Sequence, residues 1–273
     1  MFTEKNSRPG KVFCVVLVAL FLGASGLVYG VQTNGGGGSG SRSGLRVMTW
    51  NLKAEDGENF DGWVKVIGNQ KPDIVGLQEA CVTDVRGVMK QLKEKYGLTY
   101  HVKYGTTEKQ WICRNIVKGA WGQALLSRYP LKDAVNVAYK KSDDVDRGYM
   151  AATVTVGGKN IRVFNTHIGK TAEVQKYELA EIAARKDATI ILGDFNMAPD
   201  NPLLGPIWAA GFADADKHCY KQHPPQCTRT FPSGKPDKKI DYILLRGGLK
   251  SDKVEVYGTP SSDHRPLIAT IRW

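Results

Sequence analysis

Acidic residues are scarce relative to basic ones: 27 Asp and Glu stand against 38 Lys and Arg in 273 residues, a formal charge of +11. That imbalance disfavours cationic partners and favours polyanions such as nucleic acid, anionic lipid headgroups or acidic cell-wall polymers. No CxxC pair occurs, which removes the usual spacing of a structural zinc site. No internal repeat is present, which excludes stacked-repeat architectures. No two aromatic residues are adjacent, so an apolar aromatic hairpin for membrane insertion is not evident. What remains is ordinary for a globular protein, with 42% hydrophobic and 24% charged residues, so the body is not an unfolded chain.

The first 44 residues differ from the rest. Lys5, Arg8 and Lys11 form a positive start, an apolar run follows from Val12 to about Val31, and Ala24, Ser25, Gly26 and Gly30 offer small-residue cleavage positions. Residues 1–31 therefore read as a signal peptide, or, left uncleaved, as a membrane anchor of sufficient length. Residues 32–44 read as a Gly/Ser-rich linker. With Arg42 against Glu4 this segment has a net charge of three, which leaves +8 on residues 45–273. Those roughly 230 residues suit one α/β domain. The predicted location is secreted, with anchoring through residues 12–31 as the alternative.

Four cysteines follow the leader: Cys81, Cys113, Cys219 and Cys227. An even count in an exported domain predicts two disulfides, and three pairings are open. Cys219 with Cys227 would close a short loop holding Pro224 and Pro225, and Cys81 with Cys113 would then follow. His218 and His223 flank that loop and read as plain loop residues, with metal binding as the alternative.

Strand-like and helix-like runs alternate along the body. Strands are expected at Leu45–Asn51, Asp73–Gln78, Leu98–Tyr104, Gly122–Ser127, Val135–Lys140, Tyr149–Val156, Ile161–His167, Ala188–Leu192, Ile240–Arg246, Lys253–Tyr257 and Pro266–Ile271. Helices are expected at Phe60–Asn69, stopped by Pro72, at Thr83–Tyr96, capped by Thr83 or Asp84, and at Thr171–Arg185. Gly157-Gly158 reads as a tight hairpin turn. Trp50, Trp63 and Trp208 read as core. Many strands, few helices and a mixture of hairpins with crossovers predict two packed sheets flanked by helices.

Polar residues gather where these strands begin or end. The segments MTWN (48–51), GLQEA (76–80), NTH (165–167), GDFN (193–196), KIDYIL (239–244) and SDHRP (262–266) stand in that order along the chain. Each alone is weak: an isolated Asn51 ends a strand, Asp194-Phe195-Asn196 makes an ordinary turn, and Asp263-His264 is a common surface pair. Six in order resemble the endonuclease/exonuclease/phosphatase superfamily, specifically its deoxyribonuclease-like, secreted bacterial members. The resemblance covers about Leu45 to Trp273 and implies a four-layer α/β sandwich of two packed mixed β-sheets flanked by helices.

The residues themselves suit phosphodiester hydrolysis, which needs neutralised phosphoryl charge, an activated water and a stabilised leaving oxygen. Asn51, Glu79 and Asp263 supply hard oxygens for Mg²⁺, or for Mn²⁺ or Ca²⁺, with Glu79 the principal ligand. Asp194 is the candidate for orienting or deprotonating the attacking water, and Asn196 for holding Asp194 or the phosphate. The family pattern implies that His264 contacts the scissile phosphate, with Asp241 bonding its ring and favouring the imidazolium. His167 matches the second histidine of deoxyribonuclease-like members, a candidate general acid. Arg147, in the looser Asp146-Arg147-Gly148, matches a phosphate-contacting arginine of that branch.

Substrate is less legible. Lys103, Lys109, Arg114 and Lys118 with Trp111 and Trp121 read either as a basic aromatic loop for a nucleic-acid strand or as a pinned loop whose tryptophans pack inward. Lys235, Lys238 and Lys239 could extend a phosphate track. The expected substrate is nucleic acid, DNA ahead of RNA, cut by a monomer with no stable protein partner. A sphingomyelinase-like lipid phosphodiesterase and an inositol-phosphate-type phosphatase are the alternatives. A toxin subunit delivered by partner chains has no supporting feature, and a binding module with a dead site is disfavoured by the complete residue set.

Overall fold

The computed structural model describes residues 44–54, 59–113, 116–143, 145–222 and 224–273, with the backbone alone at 106, 108–113 and 116–119. The predicted leader and nearly all of the linker lie outside the described residues. In the first strand, β1 (Leu45–Asn51), alternate side chains part company. Met48 and Trp50 pack toward helices, whereas Leu45 and Val47 pack toward a second sheet. A strand buried on both faces carries apolar residues on both parities, as LRVMTWN does with Leu45 and Val47 on one face and Met48 and Trp50 on the other.

The same parting sets the whole architecture. One sheet has the order β11-β12-β1-β2-β4-β3, from Lys250–Val256, Leu267–Arg272, β1, Ile74–Cys81, Ile116–Ser127 and His101–Cys113. The other has the order β5-β6-β7-β8-β10-β9, from Lys132–Ala138, Gly148–Val156, Lys159–His167, Ile190–Asp194, Asp241–Leu245 and Ala213–Asp214. Helices α1 (Phe60–Gln70) and α2 (Val82–Tyr96) cover the first sheet through Trp63, Val64, Ile67, Val85 and Leu92. Helices α3 (Ala172–Ala183) and α4 (Gly205–Ala209) cover the second through Leu179, Ile182 and Ile207. Between the sheets lie Leu45, Val47, Ile74, Val163, Ile190, Leu192 and Ile243. The result is the expected four-layer α/β sandwich. β1 and β2 are parallel across α1, and β7 and β8 are parallel across α3, since parallel neighbours need a crossover.

Several boundaries differ from the sequence expectation, each for a local reason. α1 ends at Gln70 because Lys71 turns left-handed (φ 47°) ahead of Pro72. α2 begins at Val82 after an extended Cys81, with no side-chain cap, so neither Thr83 nor Asp84 is the N-cap. The strand expected from Leu98 starts at His101, because Gly97 and Leu98 donate to Lys93 and Leu92 and close α2. The basic segment between Lys103 and Trp121 is not a loop but the arm of a hairpin, in which β3 pairs with β4 out to Cys113 and Ile116. Within it Trp121 is buried, as in the inward-packing alternative, while the side chains of Lys109, Trp111, Arg114 and Lys118 lie outside the described residues. α4 and β9 were not expected at all; five and two residues are too short for a periodic signal.

Cys219 and Cys227 form a disulfide, and Cys81 is also disulfide-bonded; the Cys113 side chain, its expected partner, lies outside the described residues. Among the described residues, no helix is long and apolar enough to cross a membrane. Trp50 and Trp63 are core as expected, and Trp208 is half-buried with its ring edge-on to Tyr220.

Candidate active site

Toward one end of the inter-sheet layer the inward-facing residues turn from apolar to polar. On β1 and β2 these are Thr49 and Gln78, and on β7 Asn165, all fully buried. They bond one another and the backbone: Gln78 Nε2 donates to Thr49 Oγ1 (3.0 Å) and Asn165 Oδ1 (2.6 Å), and Asn165 Nδ2 donates to the carbonyls of Leu77 and Ala124. Buried amides of this kind are tolerated only when bonded, and here their bonds tie one sheet to the other. Gly76 leaves room for Asn165: a Cβ there would stand 2.6 Å from its Oδ1.

One step further along the strands the strip becomes ionisable. Parallel pairing aligns His167 with Asp194, and antiparallel pairing aligns Asp194 with Asp241, so three neighbouring strands place these residues in one row. Asn51 faces that row from the other sheet, its Nδ2 donating to Asp194 Oδ2 at 3.1 Å. Glu79 joins it through a break in strand alternation. The β2–β4 register slips between Leu77 and Ala80, and Glu79 takes a positive φ of 48°, which carries its side chain round to the cavity. A non-glycine residue held there costs of order 1–3 kcal/mol and calls for a functional explanation.

The second carboxylate oxygen of Asp194 accepts from the backbone of Asn196 (2.9 Å), a turn that also places the Asn196 amide on the Ile168 carbonyl (2.8 Å) and 3.1 Å from His167 Nε2. His264 is reached from the last strand. Its Nδ1 lies 2.9 Å from Asp241 Oδ2 and its Nε2 3.6 Å from Asp194 Oδ2. Its backbone is pinned by Ser262 Oγ and its carbonyl by Trp50 Nε1. Asp263 is half-exposed at the rim, 3.8 Å from Lys53 Nζ. These side chains surround a cavity of about 290 Å³ lined by Asn51, Lys53, Glu79, Asp194, Asp263 and His264, with Lys170, Asn196, Phe231, Lys238 and Ile240 completing the wall.

Burial shapes the charges. Burial works against a charged ring on His264, but the carboxylates of Asp241 and Asp194 outweigh it and push its pKa up to about 10. Asp194, Asp241 and His264 offer ligand atoms within 4.8 Å of one another, and the imidazolium is itself the cation the two carboxylates enclose. Asp194 is pushed up to about 6, chiefly by burial, with His264 opposing and Asp241 adding to the rise. Glu79 is raised by burial, relieved by a bond from Asn51 and worsened by the charge of Asp194.

His167 is held well below the usual imidazole range by burial and then by Arg147, His264 and Lys170. Donors crowd the ring: Arg147 Nη1 lies 2.5 Å from Nδ1 and 2.8 Å from Nε2, and Asn196 Nδ2 lies 3.1 Å from Nε2, which together with burial favours the neutral form. Its approaches to Asp194 (3.4 Å) and Glu79 (3.8 Å) are therefore not ion pairs. Arg147 is buried and lies against His167 rather than on the cavity wall.

The nine residues singled out in the sequence thus fall in one neighbourhood: six line the cavity, and Asp241, His167 and Arg147 stand behind it. Three wall residues carried no sequence signal. Lys53, Lys170 and Phe231 follow a strand end or sit in an irregular loop, and only their nearness to Asn51, His167 and the KIDYIL segment hinted at them. Phe231 has its ring centre 4.9 Å from that of His264. Lys239, by contrast, is no part of a phosphate track. It is fully buried, 3.3 Å from Asp214 and donating to the Asp241 carbonyl at 3.1 Å.

Fold and site together suit a phosphoester hydrolase, and comparison with known proteins agrees. The Endonuclease/Exonuclease/phosphatase family matches residues 48–264, and the chain belongs to that family of phosphoester hydrolases. Among solved structures, humanized D. rerio TDP2 is similar at 20% identity and a TM-score of 0.65, over 85% of this chain and 100% of that one. A family protein from Leptotrichia buccalis gives 17% and 0.68 over 84% and 100%. The human Nocturnin catalytic domain with bound sulfate gives 20% and 0.65 over 85% and 95%. At these identities the likeness is one of fold. No curated protein sequence matches the chain.

Proposed function

We propose that the protein is a secreted, divalent-cation-dependent phosphodiesterase of the deoxyribonuclease-like kind, acting on nucleic acid, DNA ahead of RNA, with little sequence preference. The observation that carries this reading is the convergence of Asn51, Glu79, Asp194, Asp263 and His264 on one cavity, with Asp194 poised between Asn51 and His264.

Asp194, with its pKa near neutrality, is the base that orients and deprotonates the attacking water. His264, kept charged by Asp241, stabilises the negative charge that grows on the phosphoryl oxygens. Asn196 holds Asp194 through its backbone and His167 through its side chain. His167, neutral and beside Asp194, is the candidate general acid from its place just behind the cavity, with Arg147 fixing its orientation. A cation fits the donor set: Glu79 is a half-buried carboxylate raised by burial and by its neighbour Asp194, and Asp263 adds a second hard oxygen at the rim. Glu79, Asp263 and the Asn51 amide oxygen would hold Mg²⁺, or Mn²⁺ or Ca²⁺, which when bound neutralises phosphoryl charge.

Lys53, Lys170 and Lys238 around the cavity mouth, on a body of +8, favour a substrate with phosphates flanking the one that is cut. TDP2 of D. rerio has been solved in complex with a single-strand DNA product, which supports the same direction. The length of the β3–β4 arm favours a second reading, a sphingomyelinase-like lipid phosphodiesterase, but Lys109, Arg114 and Lys118 interrupt its apolar residues. We take residues 1–31 as an export signal or anchor, residues 32–44 as a spacer and residues 45–273 as a monomeric catalytic domain. The Cys219–Cys227 disulfide supports an oxidising destination.

Supercoiled plasmid in Mg²⁺ should be nicked, and EDTA should stop the nicking. Release of choline phosphate from sphingomyelin, or of inorganic phosphate from inositol phosphates, with plasmid untouched, would replace this reading with one of the alternatives.

A further inference from the structure

Helix α3 carries two polar side chains where a core-facing helix should be apolar. Gln175 and Glu178 are 4% and 1% exposed, three residues apart, on the face shared with Val174, Leu179 and Ile182. Burial of such groups is costly unless each is bonded, and packing alone would favour leucine at both positions. Their bonds do not go to other core side chains.

Both side chains close on Gly169. Its N–H donates to Glu178 Oε2 at 2.5 Å, and its carbonyl accepts from Gln175 Nε2 at 2.9 Å. Gln175 Nε2 also reaches the Asn196 carbonyl at 3.4 Å. The flanking groups are equally occupied. Ile168 N–H donates to the Asp194 carbonyl (2.9 Å), the Ile168 carbonyl accepts from Asn196 Nδ2 (2.8 Å), and the N–H groups of Lys170 and Thr171 donate to Asp143 Oδ2. Only glycine fits at position 169, since a Cβ would stand 2.8 Å from Val174 and 2.9 Å from Asp143. The clamped segment runs from His167 to Lys170, and its far contacts are Asp194 and Asn196.

We infer that Gln175 and Glu178 are positioning residues: acting through Gly169, they fix the 167–170 segment, and with it His167 and Asn196, against Asp194. This rests on the phosphodiesterase reading above. An alternative arrangement of the loop would leave the cavity open and its ligands present, but would release Asn196, whose backbone N–H holds Asp194, and His167 beside it. The loss should therefore appear in turnover rather than in substrate binding.

The experiment compares full-length Glu178→Leu, Gln175→Leu and Glu178→Gln with wild type on plasmid in Mg²⁺. Each leucine variant should lower kcat about 10- to 100-fold, the scale of a misplacement near 1 Å, with KM within about threefold. Glu178→Gln, which can still accept from Gly169, should restore kcat to within about threefold of wild type. A folded leucine variant with unchanged kcat, a loss confined to KM, or a glutamine variant as impaired as the leucine one would overturn the proposal. Amide exchange at Gly169 gives an answer independent of activity. Gln175→Leu should speed it at least about tenfold, as expected when a local opening becomes easier. Unchanged exchange would refute the clamp. A wild-type protein that cuts no phosphodiester, with Gly169 protected and released by Gln175→Leu, would instead refute the phosphodiesterase reading and leave the clamp standing.

Discussion

Asp241 Oδ2 accepts a hydrogen bond from His264 Nδ1 at 2.9 Å, inside a site where both side chains are buried. The pairing decides the protonation of the ring, and through it the pH range in which the cavity can stabilise a phosphorane-like charge.

Asp241→Asn keeps the shape and removes the charge. Since the Asp241 carboxylate raises the pKa of His264, and the ring acts in its charged form, activity should persist until pH rises through about 10 in wild type. In the variant the alkaline limb of kcat/KM should move down by at least about one pH unit, the scale set by losing a nearby opposite charge. An alkaline limb that stays in place in a pH–rate profile would show that Asp241 does not govern the ring.

The acid limb belongs to Asp194. Its carboxyl sits at about 6, so the proton it must lack for base catalysis returns as pH falls through that value. Activity should decline below about pH 6, at a somewhat lower pH in saturating Mg²⁺, because a cation favours the carboxylate. Rates that stay flat down to pH 4 would remove Asp194 from the role of base.

Glu79→Gln should raise the Mg²⁺ concentration for half-maximal activity at least about tenfold, the usual scale for weakening a metal's ligand set. A metal titration that superimposes on wild type would exclude Glu79 as a ligand.

Lys170→Gln and Lys238→Gln should each raise KM for plasmid and reduce the salt dependence of kcat/KM by about one phosphate contact. Salt slopes equal to wild type in both variants would argue against flanking-phosphate recognition.

Lys239 and Asp214 form a buried pair, both side chains at 0% exposure. Lys239→Met alone should cost about 3–5 kcal/mol by stranding a buried carboxylate, and Lys239→Met with Asp214→Leu should recover most of it. Urea denaturation of the three proteins tests this, and a single variant as stable as wild type would count against the pairing.

The architecture was legible because its causes are local. The closely spaced apolar residues of LRVMTWN, IVGLQEA and TIILGD mark strands buried on both faces, and Pro72 marks where the first helix stops. The site was legible in parts for the same reason: Asn51, Asp194, Asp241 and His264 stand at strand ends, which converge in a packed sandwich. What the sequence could not reveal depends on partners far along the chain. The slip that turns Glu79 inward comes from its pairing with β4, and the neutrality of His167 comes from burial in the folded sandwich and then from Arg147 twenty residues away. Lys239 sits in the same basic run as Lys238, yet one is buried against Asp214 and the other lines the cavity, because the chain just ahead of β10 turns neighbouring side chains to different sides. The middle of the β3–β4 arm, between Tyr104 and Gly122, was hidden because its charged, aromatic sequence lacks strict alternation.

The central claim is that Asp194 and His264 together turn over a phosphodiester in this cavity. It is tested most directly by kcat for plasmid cleavage in Mg²⁺ by wild type, Asp194→Ala and His264→Ala. Each substitution should lower kcat at least about a hundredfold, the scale of losing one well-placed base or charge-stabilising group, with the fold intact by circular dichroism. Near-wild-type turnover in either folded variant would contradict the account.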